Sequence, residues 1–423
     1  MSEGAVATLR CRICQSPLFA TFVDLGASPP CEAILTAAEV DQGEVAYPLH
    51  ARICTECLLV QVPEILTAAA IFTDEYPYFS SFSTSWVAHA KRFVDDTCER
   101  LQLDGDSFII EVASNDGYLL QHVRDLGIRC LGIEPTANTA GAAKDKGIET
   151  QVCFLGAQTA AQIVERHGRA DLVIANNVFA HVPDLRDFTQ GLATLLAEEG
   201  TLTIEVPHLA KLIELRQYDT IYHEHFQYFT LLTASRALAL GGLVVVDVME
   251  LPTHGGSLRI YAQHANHARP PSPAVAQVLA AEKQAGLHTL QGHLGFEAAV
   301  ASVKRGLLRF LLDAQENGRT VVGYGAPGKG NTLLNHCGIR ADLLPFTVDM
   351  NPHKHGKFLP GSRIPVRPPS AIAEAKPDYV LVLPWNLRDE ITAQLAPTLA
   401  TWGGKLVFAV PSLDIVTPEG SPQ

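Results

Sequence analysis

Nine residues from Tyr222 to Thr230, "YHEHFQYFT", concentrate two imidazoles, a carboxylate and two phenols. Such a set can hold a metal, or it can take a proton from carbon, because histidine is the side chain whose unperturbed pKa lies near neutrality. The H-E-H spacing lacks the H-E-x-x-H separation that puts two imidazoles on one helix face. A base with orienting neighbours therefore fits better than a metal site, and the plain alternative is a loop whose polar groups only satisfy one another. A second set is clearer in type. Cys11 and Cys14 form "CRIC" and Cys54 and Cys57 form "CTEC". Two such pairs supply four thiolates to a tetrahedral zinc, a structural ion because no position is left for water or substrate. Two unrelated redox or buried pairs are the competing reading. Cys31, Cys98, Cys130, Cys153 and Cys337 have no partner spacing and read as small buried hydrophobes.

The elements that must position these groups can be read from the same chain. Its 423 residues, 47% hydrophobic and 18% charged, suffice for two or three globular domains. A net charge of -13 would repel a phosphate backbone, which argues against nucleic acid as a partner. No cleavable leader pattern and no run long enough to span a bilayer is visible, so a cytoplasmic protein without membrane contact is expected. After an amphipathic stretch at 85–101, "SFIIEVASNDGYLLQHV" (107–123) reads as strand, turn and helix, and "CLGIEPT" (130–136) as a strand ending in a carboxylate. "DLVIANNVFAHVPDL" (171–185) and "TLTIEVP" (201–207) continue the alternation into a parallel, doubly wound sheet.

Ligands of such sheets bind at the carboxyl ends of the strands, which gathers Glu111, Asn115, Asp116, Gly117, Glu134, Asn176 and Asn177 on one rim. Glu134 is placed to accept both hydroxyls of a ribose. The turn "EVASNDG" is not G-x-G-x-x-G, and its acidic groups oppose a pyrophosphate. S-adenosylmethionine, with a ribose, a sulfonium and no phosphate, suits it. A strand near 243–247 followed by "GGSLRIYAQH" (255–264) fits a sheet closed by a hairpin. The last third follows the linker "HARPPSP" (267–273) and two helical stretches. There "RTVVGYGAPGKGN" (319–331) does contain G-x-G-x-x-G, at Gly323, Gly325 and Gly328, with Asp349 21 residues beyond the last glycine. Alone, that would be an NAD domain.

The four cysteines, "YPYFSSFSTSW" (76–86), "EVASNDGYLL", "YHEHFQYFT" and "GYGAPGKGNTLLN" (323–335) occur in this order in the nucleotide-sugar C-methyltransferases. The chain resembles the members that methylate C3 of dTDP-4-keto-6-deoxyhexoses in deoxysugar biosynthesis, over nearly its whole length. The resemblance implies an α/β protein with a four-cysteine zinc-binding domain (1–75), a Rossmann-like S-adenosylmethionine-binding domain (76–266) and a C-terminal Rossmann-like nucleotide-sugar domain (267–423). It implies a catalytic pocket of His225, Tyr222, Glu224, His181 and Tyr76, with His225 as the base that removes the C3 proton. Ser114 and Pro135 join the cofactor rim. Tyr78, Ser81, Gly325, Lys329 and Asn331 would bind the sugar nucleotide, with backbone N–H groups at the helix start and Lys329 drawing the diphosphate. The expected partner is a dTDP-linked 4-keto-6-deoxyhexose, acted on by a monomer. Ala113 stands where many relatives carry glycine, which is tolerable if that residue has ordinary backbone angles. Two other classes stay open: a nicotinamide-dependent sugar oxidoreductase using Gly323 to Gly328, and a nonenzymatic zinc scaffold.

Overall fold

In the computed structural model, residues 9–72 and 79–417 are described, so the expectations for Tyr76 and Tyr78 lie outside the described residues. Strands β1 (Ala20–Ser28), β2 (Tyr47–Ile53) and β3 (Val60–Gln61) come first. The central part supplies β4 (Phe108–Val112), β5 (Arg129–Glu134), β6 (Thr150–Val152), β7 (Ala170–Asn176) and β8 (Leu196–Pro207). Then come the short β9 (Gln227–Tyr228) and the hairpin β10 (Leu243–Leu251) and β11 (Ser257–His264). The last third adds β12 (Val321–Tyr324), β13 (Thr347–Val348), β14 (Val366–Arg367), β15 (Tyr379–Val382), β16 (Lys405–Phe408) and β17 (Asp414–Val416).

The central sheet runs β10-β11-β8-β7-β4-β5-β6. Every residue of β4 is buried, as expected where helices cover both faces of a parallel sheet and leave no side for water. β4, β5, β6, β7 and β8 pair in parallel, while β11 runs antiparallel to β8 and to β10, the hairpin closure read from 243–264. The helix Thr84–Leu101 packs beneath this sheet through Ala90, Phe93, Val94, Thr97 and Cys98, one face at helical spacing. Ser83 caps it by accepting from the Trp86 N–H at 3.3 Å. The third sheet, β14-β13-β12-β15-β16-β17, is parallel up to an antiparallel last strand and forms a second Rossmann-like layer.

The remaining sheet, β1-β2-β3-β9, joins the two ends of the molecule. β9 lies inside the 222–230 motif, yet it pairs antiparallel with β3, Val60 opposite Tyr228 and Gln61 opposite Gln227. One hydrophobic core runs from the cysteines Cys11, Cys54 and Cys57 into the central sheet. Another joins Phe22, Leu49 and Val60 to Tyr218 and to the C-terminal Phe296, Leu333 and Leu381. The motif is thereby clamped by all three parts of the chain. No described helix is long and apolar enough to cross a membrane.

Candidate functional site

The four cysteines converge. Their sulfurs all lie within 4.8 Å of one another, with Cys11 and Cys57 3.3 Å apart and Cys14 and Cys54 3.4 Å apart, and none is in a disulfide. Both knuckles are built alike. The Cys11 carbonyl accepts from the Gln15 N–H at 3.0 Å and the Cys54 carbonyl from Leu58 at 2.9 Å. Gln15 and Leu58 each take a left-handed φ, 62° and 65°, to turn the chain back. Hydrogen bonds from Cys54 and Cys57 pull the Cys11 thiol far down, while the Cys11 contact holds Cys57 far above the usual thiol range. Four such groups cannot ionise together without a cation, and a Zn²⁺ with tetrahedral thiolates fits the set. Gln61 Nε2 donates to Cys11 Sγ at 3.3 Å and orients that ligand. Arg12, inside the first knuckle, donates to the carbonyls of Val62 at 2.9 Å and Phe226 at 3.1 Å, so the knuckle grips the motif loop directly.

At the carboxyl ends of β4, β5 and β7 the expected rim residues meet. The Glu134 carboxylate accepts from the N–H groups of Asn115 (2.8 Å) and Thr136 (3.0 Å) and from the Thr136 hydroxyl (2.6 Å), which fixes the turn after β4 onto β5. Lys146 Nζ reaches the Asp116 carboxylate at 3.0 Å, and the Ser81 hydroxyl donates to the same carboxylate. Ser81, expected on the sugar nucleotide, is therefore engaged at the cofactor turn. The Ser80 N–H donates to Asn115 Oδ1 at 2.8 Å. Pro135 is half-buried between Glu134 and Thr136. Glu111 Oε2, Ser114 Oγ, Asp116 Oδ1, Asn176 Oδ1 and Asn177 Nδ2 are buried with no hydrogen-bond partner among the described residues. Buried polar atoms rarely go unsatisfied, and this rim, mostly of acceptors, fits the ammonium and hydroxyl groups of S-adenosylmethionine. Burial, then the charges of Glu134 and Asp116, push the Glu111 pKa well up.

Ala113 departs from expectation. Its φ is 58°, the left-handed region, with Asn115 at 49° and Gly117 at 75° following. The methyl group thus sits in a conformation that costs an L-residue about 1–2 kcal/mol, and ordinary backbone angles do not hold here.

In the motif, a turn closed by the His225 N–H on the Tyr222 carbonyl (3.0 Å) sends the two histidines apart. His223 Nε2 meets the Tyr47 carbonyl on β2 at 3.2 Å. His225 Nδ1 lies 2.9 Å from the Thr220 carbonyl. A carbonyl can only accept, so Nδ1 carries the hydrogen and Nε2 keeps its lone pair. Tyr222 packs on the His225 ring with centroids 4.0 Å apart and the planes tilted by 33°, and His181 meets it edge-on at 4.7 Å. Burial, then His181, hold the His225 pKa well below the usual imidazole value. Burial takes His181 down to about 4, against a main-chain bond to Glu224. Glu224 is pushed up to about 7 by burial and then by the charge of Glu32. A small cavity lined by Ala180, Thr220, His225 and Tyr228 opens beside these groups.

The glycine-rich loop is organised differently from the diphosphate or dinucleotide cradle that 319–331 suggests. The Asp349 carboxylate accepts from the Ala326 N–H at 2.7 Å and from Asn351 at 2.8 Å, so it already closes the loop on itself. At the start of the helix Gly328–Cys337, Gly328 packs against Glu32 and Cys31, where a Cβ would come within 2.8 Å of Glu32 Oε1. A carboxylate of this chain thus stands at that helix N-terminus, beside the N–H groups expected to draw the diphosphate. Asn331 Nδ2 donates to the Cys31 carbonyl at 2.6 Å and holds the same loop. Gly325, with φ 88°, faces Pro384. Lys329 Nζ donates to Asn386 Oδ1 at 2.7 Å and lies 4.8 Å from the Trp385 ring centroid. Cys31 is buried as expected of a small hydrophobe, but it belongs to this cluster, beside Glu224. Sequence reasoning missed Glu32, Asp219, His254 and Trp385. They arrive on separate loops, with no spacing to mark them.

Three family models match in chain order: a zinc binding domain over residues 11–72, "Methyltransferase domain" over 86–248 and "C-methyltransferase C-terminal domain" over 252–411. The last replaces the nicotinamide reading of the glycine-rich loop. C-methyltransferase NovU of Streptomyces niveus is 34% identical over 411 residues, 97% of this chain and 97% of its own. A ubiquinone biosynthesis O-methyltransferase of Rhodopseudomonas palustris is 26% identical over 96 residues, 23% of this chain and 38% of that protein. A solved S-adenosylmethionine-dependent methyltransferase from Anabaena variabilis, 17% identical, covers 42% of this chain and 86% of its own at a TM-score of 0.35.

Proposed function

The chain belongs to the C-methyltransferases, S-adenosylmethionine-dependent enzymes with an N-terminal zinc-binding domain, and from that premise we propose that it methylates C3 of a dTDP-4-keto-6-deoxyhexose. The observation that carries the reading is the tautomer of His225, whose Nδ1 is tied to Thr220 while Nε2 keeps its lone pair with no hydrogen-bond partner among the described residues. A carbon acid beside a ketone is the substrate such a base can use. The C4 carbonyl acidifies the C3 proton, which passes to Nε2, and the electron pair moves onto the ketone oxygen. Tyr222, packed on the imidazole, would donate to that oxygen, and Glu224 would hold a sugar hydroxyl. When bound, S-adenosylmethionine supplies an electrophilic methyl on a sulfonium that leaves as a neutral thioether. Glu134 would hold its ribose, with Glu111, Ser114, Asp116, Asn176 and Asn177 around it. Zn²⁺ on the four cysteines is structural, holding the knuckles that grip Phe226.

The domains 1–75, 76–266 and 267–423, the monomeric state and the cytoplasmic location belong to the same proposal. Incubating the protein with labelled S-adenosylmethionine and a panel of nucleotide-linked 4-keto sugars tests it. Label is expected on dTDP-4-keto-6-deoxyhexoses and not on their 4-hydroxyl counterparts, since reduction of the ketone removes the acidity. Equal labelling of both would sink the mechanism.

A further inference from the structure

Asp219 and Lys329 come from different parts of the chain and meet on the two sides of Trp385. Asp219 is fully buried on the short turn Tyr218–Thr220. One of its oxygens accepts from Trp385 Nε1 at 2.6 Å, and the other, Oδ1, is buried with no hydrogen-bond partner among the described residues. Lys329 enters from the helix Gly328–Cys337, and Asn386 is the one acceptor seen for its three ammonium hydrogens among the described residues. Trp385 bridges the two: its indole N–H is on Asp219, its ring is under Lys329, and it packs against Gly255. The two charges feel one another, yet no ion pair within 4.0 Å joins them among the described residues. The residue after Asp219 is Thr220, whose carbonyl fixes the tautomer of His225.

We propose that Lys329 is a catalytic residue, whose ammonium receives the oxyanion formed as His225 takes the substrate proton, and that Asp219 is the positioning carboxylate that keeps Lys329 charged and aimed. The inference rests on the proposed proton abstraction. A base held neutral as firmly as His225 takes a proton from carbon only if the anion left behind is strongly stabilised, and a poorly solvated ammonium does this better than a phenol. The cleft also discriminates against the other use of Lys329. A diphosphate would bring permanent negative charge beside Asp219 and beside Glu32 at the helix start, whereas a ketone is neutral until the C–H bond breaks. In the step, the C3–H bond breaks, an N–H bond forms on His225 Nε2, and the electron pair is delocalised onto the C4 oxygen facing Lys329.

The test measures two quantities on wild type, Lys329→Met and Asp219→Asn. These are exchange of the C3 proton with deuterated solvent at saturating dTDP-4-keto-6-deoxyhexose with S-adenosylhomocysteine present, and the affinity for dTDP alone by calorimetry. Lys329→Met is expected to slow exchange by about 10²- to 10³-fold, the scale of losing one oxyanion donor, with dTDP affinity kept. The charged and titratable groups facing Lys329 are Asp219, His225 and His254. Both histidines are held neutral by burial, so Asp219 is the charge that favours the ammonium. Asp219→Asn is therefore expected to move the alkaline loss of exchange to lower pH, a shift that a merely structural residue would not give. Weakened dTDP binding with normal exchange at saturation would assign Lys329 to the diphosphate and overturn the inference. So would unchanged exchange in Lys329→Met, or an unmoved alkaline limb in Asp219→Asn. Wild-type protein that exchanged no proton and methylated no 4-keto sugar would instead remove the functional reading, and the inference with it.

Discussion

Among the described residues the His225 ring makes one hydrogen bond, to the Thr220 carbonyl, and it packs against Tyr222, His181 and Tyr228. His225→Asn is expected to retain cofactor and dTDP binding while solvent exchange of the C3 proton, followed by NMR, falls about 10²- to 10⁴-fold. Wild-type exchange in that variant would pass the role to Glu224, His181 or a tyrosine. Glu224 offers a second handle, through stability. Its pKa rises from 4.5 to about 7 in the fold, mainly by burial, so the folded protein binds its proton more tightly than the unfolded chain does. The penalty is absent below the unfolded value and grows as pH climbs to 7. It amounts to about 3 kcal/mol at most, at 1.36 kcal/mol per pKa unit. Urea titrations at pH 5 and pH 8 should show Glu224→Gln less destabilised at the higher pH than wild type, and parallel losses would refute the burial. At this scale the chemistry-bearing types were legible, because four cysteines and an H-E-H cluster announce themselves by spacing. The left-handed φ of Ala113 was not, since nothing local in "EVASNDG" distinguishes an alanine held there by the turn.

Among the elements, β9 links metal to chemistry. It contributes two residues of the 222–230 motif to the sheet of the zinc-binding domain, and Arg12 of the first knuckle holds the preceding carbonyl. Removal of zinc should therefore reach beyond the N-terminal region. The Cys54→Ser, Cys57→Ser double variant is expected to lose both metal, by elemental analysis, and proton exchange. Displacing catalytic groups by about 1 Å can already cost about 10²-fold. Zinc loss with normal exchange would show that the knuckles do not position the motif. The turn after β4 is the other such element. Glu134 ties it to β5 through the Asn115 N–H, while the Thr136 N–H and hydroxyl hold the same carboxylate. Glu134→Ala is expected to weaken S-adenosylmethionine binding by about 2–4 kcal/mol in calorimetry, the scale of two hydrogen bonds to a charged group. Unchanged affinity in a folded variant would mean the ribose lies elsewhere. Strands such as β4 and β7 were legible as apolar runs, since parallel strands are buried on both faces. β9, β13 and β14 are two residues each, too short for any periodicity, and their pairing is a tertiary fact.

Across the whole molecule, the order of zinc-binding, cofactor and C-terminal parts could be read along the chain, but the cleft between them could not. Glu32, Asp219, Lys329 and Trp385 stand far apart in sequence and meet because one hydrophobic core runs from β1 and β2 through Tyr218 to the C-terminal sheet. That convergence also gives the glycine-rich loop neighbours that its own sequence does not show. Its local pattern is that of a phosphate cradle, while Glu32 and Asp349 give it carboxylates from this chain. Wild-type protein given ¹³C-methyl S-adenosylmethionine and dTDP-4-keto-6-deoxyhexose should yield a single product, in which long-range carbon–proton NMR correlations place the methyl on C3 with the C3 proton gone. A methyl on oxygen or on C5, or a product that keeps the C3 proton, would contradict the proposed C3 methylation.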